Sequence, residues 1–222
     1  YTGDVSLSDN HTLAELKTIN NGTTGQLTLN SYSVALSGAT ADIKQALAGT
    51  LASTYTGNVT LSDANGTAIA ATDITTIDGD TNGTITVSNN INMTGSAAEI
   101  NAAVAVMDTI LGAPTATLNT AHTLAQLKSV NNAFSGTIAL TDYTVALSGS
   151  SSDVAAALDG TLAAQYTGNV TLSDAHTLAQ LKTINSQTSG TITLADYTVA
   201  LSGTSADVSA ALDGTFADTY TG

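Results

Sequence analysis

Hydrophobic and polar positions along this chain follow two periods in turn. Val170 and Leu172 alternate with polar neighbours, and Val5 with Leu7 and Val59 with Leu61 repeat the pattern, which predicts a short half-buried strand. The spacing then becomes helical. Leu178, Leu181 and Ile184 stand at i, i+3 and i+6, as do Leu13, Leu16 and Ile19, and Leu124, Leu127 and Val130, predicting one short amphipathic helix. After a polar turn closed by Gly25, Gly83, Gly136 or Gly190, Ile192 and Leu194 share a face, and Tyr197, Val199 and Leu201 alternate with Thr198, Ala200 and Ser202. Two adjoining β segments are expected there, with a bend at Ala195–Asp196. A second helix follows, with Val208/Leu212, Ile43/Leu47, Ile100/Val104 and Val154/Leu158 at i, i+4. Thr204 with Asp207, Ser150 with Asp153, and Ser96 with Glu99 carry capping-box spacing at its start, and Gly49, Gly160 and Gly214 mark its stop. The first copy has Ala39 at the cap, so Thr40 is expected to shift that start by one residue.

The pattern is a repeat. "YTGDVSLSD" opens at Tyr1, "YTGNVTLSD" at Tyr55 and Tyr166, and Tyr220 to Gly222 read "YTG" again. The repeats are 1–54, 55–111, 112–165 and 166–219, with 220–222 beginning another. The third is recognised by "AHTLAQLK" and "DYTVALSG"; its opening has become "APTATLNT", with Pro114 where the glycine of YTG falls. The second carries a three-residue insertion in its first half. Each repeat reads β-α-β-β-α, two half-units of which neither can bury its apolar face alone. The expected fold is an α/β repeat solenoid, with stacked right-handed coils, short parallel strands and one short helix per half-unit.

Composition narrows the function. The 222 residues include no Cys or Trp, one Pro, and 18 carboxylates against four lysines, for a formal charge of −14. A phosphate backbone would be repelled, which argues against nucleic-acid partners, while divalent cations are natural counterparts. No apolar run reaches the eighteen or so residues that span a bilayer, so membrane insertion is not expected. Neither a signal peptide nor an initiator Met opens the chain, as in a processed protein or an excerpt.

Candidate chemistry is sparse. No serine lies in a G-x-S-x-G context, and no nucleophile, base and orienting group are visible together, so no enzyme activity is expected. His11, His122 and His176 share one position before the first helix, and the second repeat lacks it. They are either a helix-entry residue copied with its repeat or the rungs of a metal ladder. Asp9, Asp63 and Asp174 recur after the first strand, either capping the helix that follows or forming a calcium ladder. In "DGDTNGTITVSN", Asp78, Asp80 and Asn82 fall at positions 1, 3 and 5 of a calcium loop, Gly83 at position 6 and Asn89 at position 12. Thr84 would give a backbone carbonyl. This half of the loop resembles an EF-hand or dockerin loop, but position 12 lacks the bidentate carboxylate, so a weak calcium site and a solvated turn both fit.

Outward strand residues such as Thr84, Thr86, Thr191, Thr193, Ser33 and Ala35 are short and uncharged, giving a flat β face of a kind that natural sheets usually avoid. Such a face suits packing against another copy. It also resembles, with interruptions at Gln26, Ala139 and Ala146, the T-x-T arrays of ice-binding solenoids. The phrases "ALSGTSADVSAALDG" and "TLAQLKTINSQTSGTITLADYTVALSG" resemble repeats of giant secreted surface proteins of cyanobacteria and other aquatic bacteria, of RTX-associated, adhesin-like or filament and sheath type. The resemblance implies an extracellular, cell-surface role. The chain lacks the "GGxGxD" nonapeptide of the RTX roll, so calcium dependence does not carry over. A self-associating structural protein, an adhesin stalk and an ice-binding solenoid are the functions expected.

Overall fold

The switch between periods two and 3.6 builds a short element at each place where it occurs. The computed structural model describes residues 1–222. In the first repeat β1 (Val5–Ser6), α1 (Leu13–Gly22), β2 (Leu27–Thr28), β3 (Leu36–Gly38) and α2 (Thr40–Leu47) follow one another. The second has β4 (Val59–Leu61), an additional β5 (Ala68–Ala70) after the insertion, α3 (Ala71–Asp80), β6 (Ile85–Val87), β7 (Asn92–Gly95), α4 (Ala97–Val106) and β8 (Thr109–Ile110). The third has β9 (Thr115–Leu118), α5 (Leu124–Ala133), β10 (Ile138–Leu140), β11 (Leu147–Gly149) and α6 (Ser151–Leu158). The fourth has β12 (Val170–Leu172), α7 (Leu178–Gln187), β13 (Ile192–Thr193) and α8 (Ser205–Leu212). The result is an α/β structure of short parallel strands alternating with helices, in which no barrel closes.

Two compact units form, residues 1–94 with 102–114 and residues 95–101 with 115–222. In the first, Val5 pairs Leu27 across α1 and Leu27 bridges Leu51 across α2. A second ladder joins β3, β4, β6 and β8, with Leu36 opposite Val59, Val59 opposite Ile85 and Thr86 opposite Thr109, and β5 pairs β7. In the second unit, Ala116 pairs Ile138 across α5, Leu147 pairs Val170 across α6, and Val170 pairs Ile192 across α7. A parallel neighbour cannot be reached by a hairpin, so a helix recurs between paired strands as the crossover.

Inward strand residues meet inward helix residues in thin layers. Leu36, Val59 and Ile85 are buried with Leu16, Ile43, Ile74 and Ile77, and α2 packs on β3 and β4. In the second unit Leu147, Val170 and Ile192 are buried with Leu127, Val154, Leu181 and Ile184, and α6 packs on β11 and β12. Each such side chain contributes about 1.5–3 kcal/mol.

The helix starts revise two sequence expectations. The first helix of a repeat is capped by threonine: Thr12, Thr123 and Thr177 accept from the backbone N–H of Glu15, Gln126 and Gln180, whose side chains reach back. Asp63 and Asp174 therefore do not cap the helix after them. They reach to the second helix of the preceding repeat, where Thr40 N donates to both Asp63 oxygens (3.1 and 3.0 Å) and Ser151 N donates to Asp174 at 2.7 Å. Thr120 does the same for Ala97 N at 3.1 Å. Nor does Thr40 shift its helix: α2 starts at Thr40 as α6 starts at Ser151, with Ala39 at a cap that makes no side-chain bond. The Asp63 carboxylate serves the Thr40 amide, as Asp174 serves Ser151, and Asp42 N has only the Ala39 carbonyl. Ala39→Ser should stabilise the protein by about 0.5–1 kcal/mol in urea unfolding, by offering Asp42 N the oxygen that Ser150 offers Asp153 N.

The alternation in "YTVALSG" overstates the strand. Only Leu36–Gly38 and Leu147–Gly149 are extended into ladders. The tyrosine ahead of them turns a corner, because its hydroxyl folds back to accept from the backbone three residues earlier: Leu29 N to Tyr32 Oη at 3.1 Å, Leu140 N to Tyr143 at 3.0 Å and Leu194 N to Tyr197 at 3.1 Å.

Candidate functional site

The recurrent histidines lie just before Thr12, Thr123 and Thr177, so the first turn of each first helix fixes them beside the core. They are only 3–5 % exposed. Each meets the YTG tyrosine that opens the following repeat: His11 Nε2 lies 3.1 Å from Tyr55 Oη, His122 3.0 Å from Tyr166 and His176 3.2 Å from Tyr220. The rings are tilted, with centroids 5.8–6.0 Å apart.

The hydrogen bonds fix the protonation. Tyr55 Oη donates to Val34 O at 2.5 Å, Tyr166 to Val145 O at 2.6 Å, and Tyr220 to Val199 O. A carbonyl only accepts, so the phenol proton is committed and the oxygen must accept from the imidazole. Each histidine is thus the neutral Nε2–H tautomer. Its Nδ1 is a bare lone pair, buried without a hydrogen-bond partner in all three copies. Burial lowers the three imidazole pKa values, and the carboxylates of Glu15 (His11), Asp142 (His122) and Asp196 with Asp174 (His176) oppose it. Burial pushes the Tyr55 phenol up to about 12. Burial raises Tyr166 and Tyr220 as well, followed by Asp142 and Asp196 respectively.

The metal-ladder reading of the histidines gives way to this pairing, since each Nε2 is held by a tyrosine and no group of three His, Asp or Glu is placed to hold a metal ion. The helix-entry reading places the residue correctly but misses its partner. One signal in the sequence could have found it. Counting back from Thr84, matched to Thr191, Ile69 takes the histidine position of the second repeat; counting back from Ala116, matched to Val170, Gly112 takes the tyrosine position of the third. Histidine and tyrosine are lost together, at one boundary, and Ile69 is buried in place of the imidazole.

Charges also pair along the repeats. All four lysines meet an aspartate on the next helix: Lys17 with Asp42, Lys44 with Asp73, Lys128 with Asp153 and Lys182 with Asp207. These half-exposed pairs are worth below about 1 kcal/mol each. They neutralise four of the 18 carboxylates and leave no lysine over.

The calcium-loop residues are spread over the end of α3 and the turns on either side of β6. Asp78 and Asp80 lie on the last turn of α3, two residues apart, and so leave the helix in nearly opposite directions. Asn82 N donates to Tyr55 O, Thr84 N to Asn58 Oδ1 and Asn89 Nδ2 to Asp63 O. Asp80 has its pKa raised by burial.

Outward hydroxyls stand in register on the ladders. Ser37, Thr60, Thr86 and Thr109 form one rank in the first unit, and Ser148, Thr171 and Thr193 another in the second, one per strand at about 4.8 Å spacing. A concavity of about 760 Å³ opens between α5 and β11, and its only charges are the paired Lys128 and Asp153. No helix is long and apolar enough to cross a membrane. Comparison with protein-family models, curated proteins and solved structures finds no match.

Proposed function

We propose that this chain is a structural repeat segment of an extracellular surface filament, sheath or layer, its strands and helices stacked as right-handed solenoid coils that associate with further copies. The observation that carries the reading is that repeats are completed by their successors. Tyr55 closes over His11, Asp63 caps α2, and Tyr166 and Asp174 repeat both contacts two repeats later. An array of this kind lengthens by copying, without new chemistry. The flat hydroxyl ranks suit side-to-side packing, the unpaired carboxylates suit divalent cations between copies, and the resemblance to giant surface proteins supports the location.

Electron microscopy of the purified chain, with and without millimolar calcium, tests it. Filaments or sheets are expected. Monodisperse short particles under every condition would overturn self-assembly and favour the second reading, an adhesin spacer whose ligand domain lies elsewhere. The in-register hydroxyls favour ice binding as a third reading, which absence of thermal hysteresis removes.

A further inference from the structure

Three buried imidazoles hold a bare nitrogen with nothing to meet it, and this has no use in a purely static joint. A buried polar atom without a partner is destabilising, and the boundary between the second and third repeats does without the pair, with Ile69 and Gly112 at the two positions. We propose that the histidine–tyrosine contacts are an acid-operated release between successive repeats: a proton on Nδ1 expels the imidazole, frees the tyrosine and loosens the boundary.

The chemistry follows from the hydrogen bonds. In the neutral state Nε2–H donates to the phenol and the phenol donates to a valine carbonyl. A proton added at Nδ1 finds no acceptor, and the charge it brings is buried. The groups facing each ring are the tyrosine of the next repeat and a few carboxylates. These are Glu15 on α1 for His11, Asp142 after β10 for His122, and Asp174 after β12 with Asp196 after β13 for His176. They favour the charged form, but burial is the larger effect at all three sites.

The direction is fixed by linkage. Histidines lowered from 6.5 in the folded chain bind fewer protons than the unfolded chain below that pH. Their contribution to stability is full above about 6.5 and is lost as pH falls toward the lowered values. Each can raise the unfolding constant up to about tenfold per pH unit, and the three together up to about a thousandfold. Carboxylates with lowered pKa, such as Glu15, Glu99 and Asp153, add their loss only below 4.5 or 3.8. The window from 6.5 down to about 4.5 therefore belongs to the histidines. Asp80, raised by burial, acts in the opposite sense.

The test compares urea unfolding of the whole chain between pH 7.5 and 4.5 with that of a variant carrying His11→Gln, His122→Gln and His176→Gln. Glutamine keeps an N–H donor for the tyrosine, cannot titrate, and leaves Asp80 common to both proteins. A steep fall in the unmodified chain and a much flatter profile in the variant are expected, and equal slopes would sink the proposal. Should the variant not fold, nitrogen-15 NMR of the unmodified chain decides. Three Nε2–H tautomers that gain a proton only as the fold loosens support the release. Imidazoles titrating near 6.5 in an otherwise unchanged spectrum overturn it. Neither readout depends on self-assembly.

Discussion

Replacing Tyr166 with phenylalanine is expected to destabilise the protein by about 2–3 kcal/mol, although it removes one oxygen atom. Tyr166 is fully buried, and its hydroxyl serves two groups that have no alternative: it accepts from His122 Nε2 at 3.0 Å and donates to Val145 O at 2.6 Å. Phenylalanine fills the ring's volume but leaves a buried donor and a buried acceptor unpaired. The measurement is the urea midpoint at pH 7.5 with an unchanged slope. In a His122→Leu background the donor is already gone, so the same substitution should cost at least about 1 kcal/mol less. A loss below about 0.5 kcal/mol would mean the hydroxyl is idle.

The glycine two residues later should be as sensitive for a different reason. A Cβ on Gly168 would stand 2.1 Å from Val145 O, and one on Gly57 would stand 2.0 Å from Val34 O. Those are backbone oxygens already held by the tyrosine hydroxyls, so they cannot swing aside as a side chain would. Gly168→Ala is expected to cost about 3 kcal/mol, the upper range for overpacking, read as a fall in thermal midpoint. The tyrosine of the YTG phrase thus holds a carbonyl that leaves its glycine no room for a Cβ.

Much of the fold was legible because it rests on local rules. The 3.6-residue spacing of Leu178, Leu181 and Ile184 placed a helix that runs Leu178–Gln187, and the caps read at Ser150 and Thr204 accept from Asp153 N and Asp207 N. What failed was contact at a distance. Asp63 lies just ahead of the insertion and α3 in sequence, so a local rule assigns it forward, yet the parallel ladder carries it back to Thr40. The histidine and its tyrosine stand 44 residues apart, beyond the reach of any spacing rule within one repeat. The bend read at Ala195–Asp196 falls at the tyrosine corner, but the hydroxyl that closes it was not legible, because alternation records which side chains differ in polarity, not whether a hydroxyl returns to its own backbone. The four-residue T-x-x-E and T-x-x-Q signatures at Thr12, Thr123 and Thr177 were readable, and those at Thr12 and Thr177 were masked by Asp9 and Asp174 just ahead of them.

The caps borrowed from the following repeat also set a timetable. The first amide of α2 waits for Asp63, 23 residues further along, and that of α6 waits equally long for Asp174. At ribosomal rates of about 5–20 residues per second, each of these helices emerges with an open end for about 1–5 s before its partner is made. Closure therefore travels down the chain in the direction of synthesis, about half a repeat behind the growing end.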